Sequence, residues 1–308
     1  MSHSTPETSR LTGDPAVCST DLLCSRPHVV NTSGGICSFW AADRTVKKQG
    51  RENVTLLFAD VLMEDEDLYR FNREASEYLG VPITRISLEK TPWDLFEERG
   101  MIGNSKYPLC SVVLKRELLD KWRRANTLEM LTTLYIGIDW TEMHRLDAMR
   151  IAKPSWRIEA PMCEEPLWDK CKMLDELKRI GIKPPALYAF GFPHNNCGGF
   201  CVKAGQAQFA LLLRVKPERY AWHEMREERV RQKTGKDFSV LSDRRGDGKK
   251  KPLTLRAFRE RIEAGESFDR HDWGGCGCAL DSEHNGELTD AGPVTPASRE
   301  TQSRHSVQ

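Results

Sequence analysis

Residues 28–49 read HVVNTSGGICSFWAADRTVKKQ and contain the pattern on which the fold prediction depends. The first five residues are a short β-branched run, which predicts a strand that ends at the Ser-Gly-Gly turn. Phe39, Ala42 and Val46 then recur on one side of a helix, which predicts a helix over 39–49. A strand, a glycine turn and a helix in this order indicate an α/β fold.

The alternation of strands and helices continues to residue 140. Strands are predicted at 53–60, 82–88 and 133–140, and helices at 64–80, 91–103 and 111–126. Strands separated by helices pair in parallel through right-handed crossovers. The first half therefore predicts a parallel sheet with helices on both faces.

The chain divides into four predicted regions. Ser, Thr and Pro dominate residues 1–26 and 281–308 without hydrophobic periodicity, which predicts two disordered tails. Residues 27–150 form the predicted α/β domain. Residues 151–280 contain helical patterns between loops rich in Pro, Gly and Cys, and they predict a helical, cysteine-bearing C-terminal appendage.

The composition excludes several classes of protein. With 39% hydrophobic and 30% charged residues among 308, the chain predicts a soluble globular protein. It has no apolar run of about 18 residues, so no membrane span is predicted. Its first residues lack a charged-then-apolar signal pattern, so we expect a cytoplasmic protein. A net charge of +1 gives no overall electrostatic attraction to nucleic acid.

The turn after the first predicted strand carries the strongest chemical signal. Glycines at 34 and 35 let backbone amides approach an anion closely, and the N-terminus of the following helix adds partial positive charge. Ser33 and Ser38 add hydroxyl donors. The loop is neither a dinucleotide fingerprint nor a Walker loop, and the alternative interpretation is a tight turn. A phosphate site predicts that Gly34→Ala weakens nucleotide binding, because a Cβ would intrude on phosphate oxygens.

Four motifs in order resemble the PP-loop ATP pyrophosphatase superfamily, and within it the phosphoadenosine phosphosulfate reductase family with its phage and DNA-sulfur-modification relatives. They cover about residues 28–145: SGGICS (33–38), LLFADVLMEDEDLYRF (56–71), CSVVLKRE (110–117) and GIDWTEMHR (137–145). The resemblance implies a Rossmann-like sheet of the HUP type. It also implies that ATP or a related adenine nucleotide binds with Mg²⁺.

The resemblance also implies roles for individual residues. Lys115 and Arg116 would contact phosphates beside the glycine loop, Asp60 and Glu142 would be the acids on the metal side, and Arg145 would lie at the nucleotide. The reaction implied is adenylation of a substrate with release of pyrophosphate, after which sulfide or an amine displaces AMP; a thiol or sulfide donor is the partner expected for sulfur transfer.

Two departures from the family leave alternatives open. Ile36 and Cys37 stand where the superfamily usually has Lys and Asp. The reductase family's C-terminal Glu-Cys-Gly-Leu-His segment is also missing. A sulfonucleotide reductase and a catalytically inactive nucleotide-binding module are therefore the alternatives to an ATP-dependent enzyme.

Cysteine clustering is the second chemical signal. Ten cysteines in a chain without a secretory signal do not predict a disulfide framework. Soft thiolates in glycine-rich loops suit a 4Fe–4S cluster or, alternatively, zinc. Packing or free thiols are the third interpretation. His194 and His271 flank the candidate ligands, which are Cys110, Cys197, Cys201, Cys276 and Cys278.

A basic segment lies in the second half of the chain. Residues 214–263 contain 16 Lys and Arg against 9 Asp and Glu. Clustered cations bind nucleic-acid backbones, so an RNA or DNA substrate is one candidate. The acids dispersed among these cations favour the other interpretation, a solvated helix face.

Overall fold

The computed structural model describes residues 27–104, 107–243, 245 and 250–274. Both predicted tails lie outside these residues. So do Cys276 and Cys278, two of the five predicted cysteine ligands.

A five-stranded parallel sheet forms the centre of the fold, and it confirms the predicted α/β class. Its strand order is β3-β2-β1-β4-β5, which is compatible with a Rossmann-like fold. The fifth strand is only three residues long and was not predicted. The strands are β1 (His28–Thr32), β2 (Val54–Asp60), β3 (Ile83–Ser87), β4 (Thr133–Ile136) and β5 (Arg157–Glu159).

Helices cover both faces of this sheet and continue beyond it. Those of the first half are α1 (Ile36–Gln49), α2 (Glu66–Leu79), α3 (Pro92–Arg99), a π-helix (Ser111–Glu117) that continues into α4 (Leu118–Asn126), and α5 (Met143–Ala152). The second half contributes α6 (Lys170–Arg179), α7 (Ala186–Ala189), α8 (Gln206–Val215), α9 (Pro217–Thr234), a hairpin of β6 (Leu241–Asp243) and β7 (Lys251–Leu253), and α10 (Leu255–Glu263).

Capping residues set the ends of the early helices. The side chains of Asp65 and Thr91 accept hydrogen bonds from the first turns of α2 and α3. Gly80 and Gly100 then end the two helices in the left-handed conformation. The predicted helix over 111–126 is present, but its first two turns are π-helical.

Two hydrophobic cores cover the sheet, one on each face, and a third joins it to the C-terminal helices. The third core packs Trp93 and Phe96 of α3 and Leu114 of the π-helix against Phe209 and Tyr220 of α8 and α9. The strand order reverses between β1 and β4, and in open parallel sheets ligands bind at such a switch point. The carboxyl ends of β1 and β4 are therefore the expected place for a ligand site.

One buried acid couples the stability of the C-terminal helices to pH. Glu227 of α9 accepts hydrogen bonds from the backbone amides of Val240, at 2.8 Å, and Leu255, at 2.6 Å. Its burial raises the pKa of this carboxyl group to about 7. The folded state therefore binds the proton more tightly than the unfolded state does.

We expect the free energy of unfolding to fall as the pH rises from about 4.5 through about 7, by up to roughly 3 kcal/mol. Urea unfolding at pH 5 and pH 8 measures this difference. Glu227→Gln should remove most of it, whereas Glu260→Gln, at an exposed position of α10, should retain it. An identical pH dependence in the Glu227→Gln variant would contradict the assignment.

Candidate functional site

The glycine loop, residues 33–38, is a preformed turn between β1 and α1. The Ser33 amide donates to Ser38 Oγ at 3.1 Å, and Ser38 Oγ donates to the Gly35 carbonyl at 2.9 Å. The two serine hydroxyls lie 3.1 Å apart. Gly34 has a φ of +73°, a conformation that favours glycine. The glycine loop thus contains four of the six residues predicted to bind phosphate, Lys115 and Arg116 being the other two.

Gly34 is required for a reason that differs from the predicted one. A Cβ at this position would lie 2.5 Å from Cγ of Leu68, a buried residue of α2. The expectation that this Cβ would meet phosphate oxygens was therefore wrong, because it points into the core between α1 and α2. Substitution of Gly34 tests the packing of the loop rather than ligand binding.

A segment from the second half of the chain lies over the glycine loop. Tyr188 of α7 accepts a hydrogen bond at its hydroxyl from the Ile36 amide at 3.3 Å, and Asn195 Nδ2 donates to the Gly34 carbonyl at 2.8 Å. Within the described chain, the amides of Gly34 and Gly35 donate to no acceptor.

The space beside the glycine loop is small as the structure stands. A cavity of about 10 Å³ touches Gly34, Gly35 and Ser38, which is room for about one water molecule. An anion bound at the first helical amide would take the place of the Tyr188 hydroxyl. Binding of a phosphate group there requires Tyr188 to move.

Asp60, predicted to be an acid on the metal side, lies at the carboxyl end of β2 with only 1% of its surface exposed. Its carboxylate accepts from the Leu62 amide at 2.8 Å, the Tyr69 hydroxyl at 3.0 Å and Arg85 Nε at 2.7 Å. Burial, with the negative charge of Asp60, raises the pKa of Tyr69. Because Arg85 already neutralises Asp60, a cation would compete with the arginine for this carboxylate.

The segment after β4 contacts the glycine loop directly. A Cβ at Gly137 would lie 2.4 Å from Cα of Ser38, so only glycine allows the backbone to approach the first turn of α1 this closely. Glu142, five residues further on, is 4% exposed and forms an ion pair with Arg145. The two residues predicted from the fourth motif are therefore partners.

The π-helix places Lys115 inside and Arg116 outside. Lys115 Nζ donates to Glu64 Oε1 at 3.1 Å, and the Glu64 side chain is fully buried. Burial lowers the pKa of Lys115, but the negative charge of Glu64 and its hydrogen bond with the lysine help to outweigh this effect and raise it overall. Arg116 is exposed. Glu64 was not predicted individually, although it lies in the motif LLFADVLMEDEDLYRF (56–71).

Three of the five predicted cysteine ligands pack against the same hydrophobic core. Cys110, Cys197 and Cys201 are thiols that contact the core formed by α3, the π-helix, α8 and α9. Burial, followed by the charge of Cys201, raises the pKa of Cys110 to about 11. Burial likewise raises the pKa of Cys197 well above its ordinary value. We call these three residues the thiol site.

The thiol loop, residues 194–201, has a strained backbone. Cys197, Gly198 and Gly199 have φ values of +52°, +57° and +89°, and only the two glycines adopt such angles readily. The Cys197 amide donates to Glu64, the same carboxylate that pairs with Lys115. Strain of this kind occurs preferentially at ligand sites.

Several polar atoms of the thiol loop are buried without a partner. Both ring nitrogens of His194 and the side-chain oxygens of Asn195 and Asn196 have no hydrogen-bond partner in the described part of the chain. Buried polar atoms are nearly always satisfied, so a group of unsatisfied atoms is typical of a site that binds an ion or water. Thiolates are soft ligands, so the cysteines of the thiol site have the donor chemistry that a thiophilic metal or a cluster requires.

The arrangement of these side chains does not match a metal site. Among the described residues, no three His, Cys, Asp or Glu side chains are arranged to hold a metal ion as they stand. The thiols would have to rotate towards a bound group and lose their protons, as metal ligands do. Two further predicted ligands, Cys276 and Cys278, lie outside the described residues.

Much of the basic segment is neutralised within the fold. Arg226 of α9 pairs with Asp94 and Glu97 of α3, and Arg259 of α10 pairs with Glu224 of α9. Paired cations release few counterions when a nucleic acid binds. The local excess of Lys and Arg therefore gives little support to a nucleic-acid interface here.

Comparisons with known proteins assign no family. No protein-family model matches the chain, and no curated protein matches it. None of the helices that the structure describes is both long and apolar enough to span a bilayer.

Proposed function

We propose that the protein is a PP-loop enzyme with a HUP-type nucleotide-binding fold. It would use an adenine nucleotide, ATP being the first candidate, to activate a substrate for sulfur transfer. The observation that carries the proposal is the hydrogen bond from Asn195 to the Gly34 carbonyl. This bond joins the glycine loop to the loop that contains Cys197 and Cys201, so a phosphate site and a thiol site would be neighbours.

In this proposal the glycine loop holds the phosphates. The amides of Gly34 and Gly35 donate to phosphate oxygens, Ser33 adds its hydroxyl, and the amide of Ile36 joins them once Tyr188 has moved. Arg116 is an exposed cation one residue beyond Lys115. Mg²⁺, when bound, would neutralise charge on the phosphates.

The proposed reaction has two displacements. A substrate oxygen attacks the α-phosphorus of ATP, the bond from that phosphorus to its bridging oxygen breaks, and pyrophosphate leaves with the electron pair. A sulfide or other thiol donor then attacks the activated carbon. The carbon–oxygen bond breaks, and AMP leaves with the former substrate oxygen.

The thiol site would hold the cofactor, a 4Fe–4S cluster or alternatively zinc. Cys110, Cys197 and Cys201 supply thiolates, and Lys115 supplies a positive charge beside them. The raised pKa values of Cys110 and Cys197 count against either thiol as an activated nucleophile, because a nucleophilic cysteine needs a lowered pKa. The sulfonucleotide reductase, which needs such a nucleophile, therefore ranks below the ATP-dependent enzyme.

Ligand binding tests the phosphate site. We expect Ser33→Ala to weaken the affinity for pyrophosphate and ATP roughly 10-fold, because one hydrogen bond to a charged group is lost. Isothermal titration calorimetry on anaerobically purified protein measures the change. Ser76→Ala is the matched control, since the Ser76 hydroxyl donates to the Val81 carbonyl beyond α2. Equal affinities in the two variants would count against the site.

Product analysis separates the candidate reactions. Release of pyrophosphate from ATP supports the proposed enzyme, and thiol-dependent release of sulfite from an adenylyl-sulfate donor supports the reductase. Binding without either product supports an inactive nucleotide-binding module. Absence of nucleotide binding would contradict all three.

A further inference from the structure

The hydroxyl group of Tyr188, in α7, contacts the glycine loop at the start of α1. It accepts from the Ile36 amide at 3.3 Å, and a Cβ at Gly35 would lie 3.3 Å from the same oxygen. Ile36 is the first residue of α1, and the amides of a first helical turn have no acceptor within their helix. Such amides bind anions. An anion bound here would place an oxygen where the tyrosine hydroxyl lies.

The backbone that carries Tyr188 is held in place, whereas its side chain is only partly buried. Leu187, the preceding residue, is fully buried, and the Ala186 amide donates to the Asp67 carboxylate of α2 at 2.7 Å. Movement of α7 as a whole would break both of these contacts. Rotation of the Tyr188 side chain alone is therefore the smallest change that uncovers the Ile36 amide.

We infer that Tyr188 is a gate of the phosphate site. Its hydroxyl occupies the anion position in the unliganded protein, and a phosphate group must displace it. A charged phosphate oxygen accepts hydrogen bonds more strongly than a neutral hydroxyl does, so phosphate can make this exchange and a neutral ligand cannot. The gate thus lowers the affinity for phosphate and selects anionic ligands. The inference rests on the proposed phosphate site but not on the thiol site or the reaction.

Tyr188→Phe tests the gate, because it keeps the ring and removes the hydroxyl. We expect the affinity for pyrophosphate to rise roughly 2–10-fold, since the unliganded variant lacks a hydrogen bond that the ligand must break in wild type. Isothermal titration calorimetry on the full-length protein measures the change. Tyr107→Phe, at an exposed tyrosine, is the matched control and should bind pyrophosphate as wild type does.

A label on Tyr188 itself observes the movement directly and does not depend on the stability of the phenylalanine variant. We would incorporate 3-fluorotyrosine at position 188 of the otherwise unchanged chain and record its ¹⁹F resonance. Saturating pyrophosphate should shift this resonance, because the ring leaves the glycine loop. The same label at position 107 should keep its resonance.

The two measurements separate the gate from the phosphate site. Tighter binding by Tyr188→Phe together with a shifted resonance at position 188 supports the gate. Equal or weaker binding by this variant overturns the gate and leaves the phosphate site standing, and so does a resonance at position 188 that stays in place while pyrophosphate binds. If neither wild type nor Tyr188→Phe binds pyrophosphate, the gate and the phosphate site are both overturned.

Discussion

Gly34→Ala is expected to lower the free energy of unfolding by about 2–5 kcal/mol. Two costs add up at this position. An L-residue at a φ of +73° costs about 1–2 kcal/mol. The new Cβ would lie 2.5 Å from Leu68, and overpacking of a core costs about 1–3 kcal/mol. Urea unfolding followed by circular dichroism measures the loss.

Gly181→Ala separates these two costs. Gly181 has a φ of +81°, but no atom lies within 4 Å of its ideal Cβ. This variant should therefore show only the conformational cost, about 1–2 kcal/mol. Equal losses in the two variants would contradict the packing role of Gly34. If Gly34→Ala is the less stable variant, weaker phosphate binding by this variant does not by itself identify a phosphate site. An unstable loop would also bind phosphate poorly.

Glu64→Ala is expected to lower the free energy of unfolding by about 3–5 kcal/mol. The fully buried Glu64 carboxylate pairs with Lys115, and it also accepts from the Cys197 amide. Removing one partner of a buried pair leaves the other charge uncompensated. The thiol loop also loses its anchor to the segment after β2.

An exposed ion pair provides the control for this prediction. Lys90 and Glu98 pair with side chains that are 44% and 48% exposed, so Glu98→Ala should cost about 1 kcal/mol or less. Glu64→Gln should recover part of the loss, since it keeps an acceptor for the Cys197 amide. If Glu64→Ala were no more destabilising than Glu98→Ala, Glu64 would not anchor the thiol loop.

Local patterns predicted most of the sheet and its helices. Hydrophobic periodicity and capping residues act within a few neighbours along the chain, and they define elements such as β2 and α2 from sequence alone. β5 was not predicted, because a three-residue strand is too short to show the alternation of hydrophobic and polar residues that is typical of strands. It lies beyond residue 150, in a region whose sequence pattern was helical.

The parts of the candidate site that sequence could not predict depend on long-range contacts. Asn195 and Tyr188 contact the glycine loop although they lie more than 150 residues from it in the sequence. No local sequence pattern predicts such a contact. His194 was considered as a ligand because it flanks Cys197, but only the structure reveals its unsatisfied ring nitrogens. Glu64 lies in an acidic stretch, residues 64–67, and the sequence does not indicate which of these acids is buried.

The amide of Gly34 tests the central claim most directly. Ser33-Gly34 is the only Ser-Gly pair in the sequence, so ¹³C-carbonyl serine with ¹⁵N-glycine, introduced by cell-free synthesis, places both isotopes in this peptide bond alone. A ¹³C–¹⁵N-filtered spectrum then shows only the Gly34 amide. We expect pyrophosphate and ATP to shift the Gly34 amide resonance downfield, with a shift that saturates. A resonance that stays in place at millimolar ligand would contradict the claim that this loop binds phosphate.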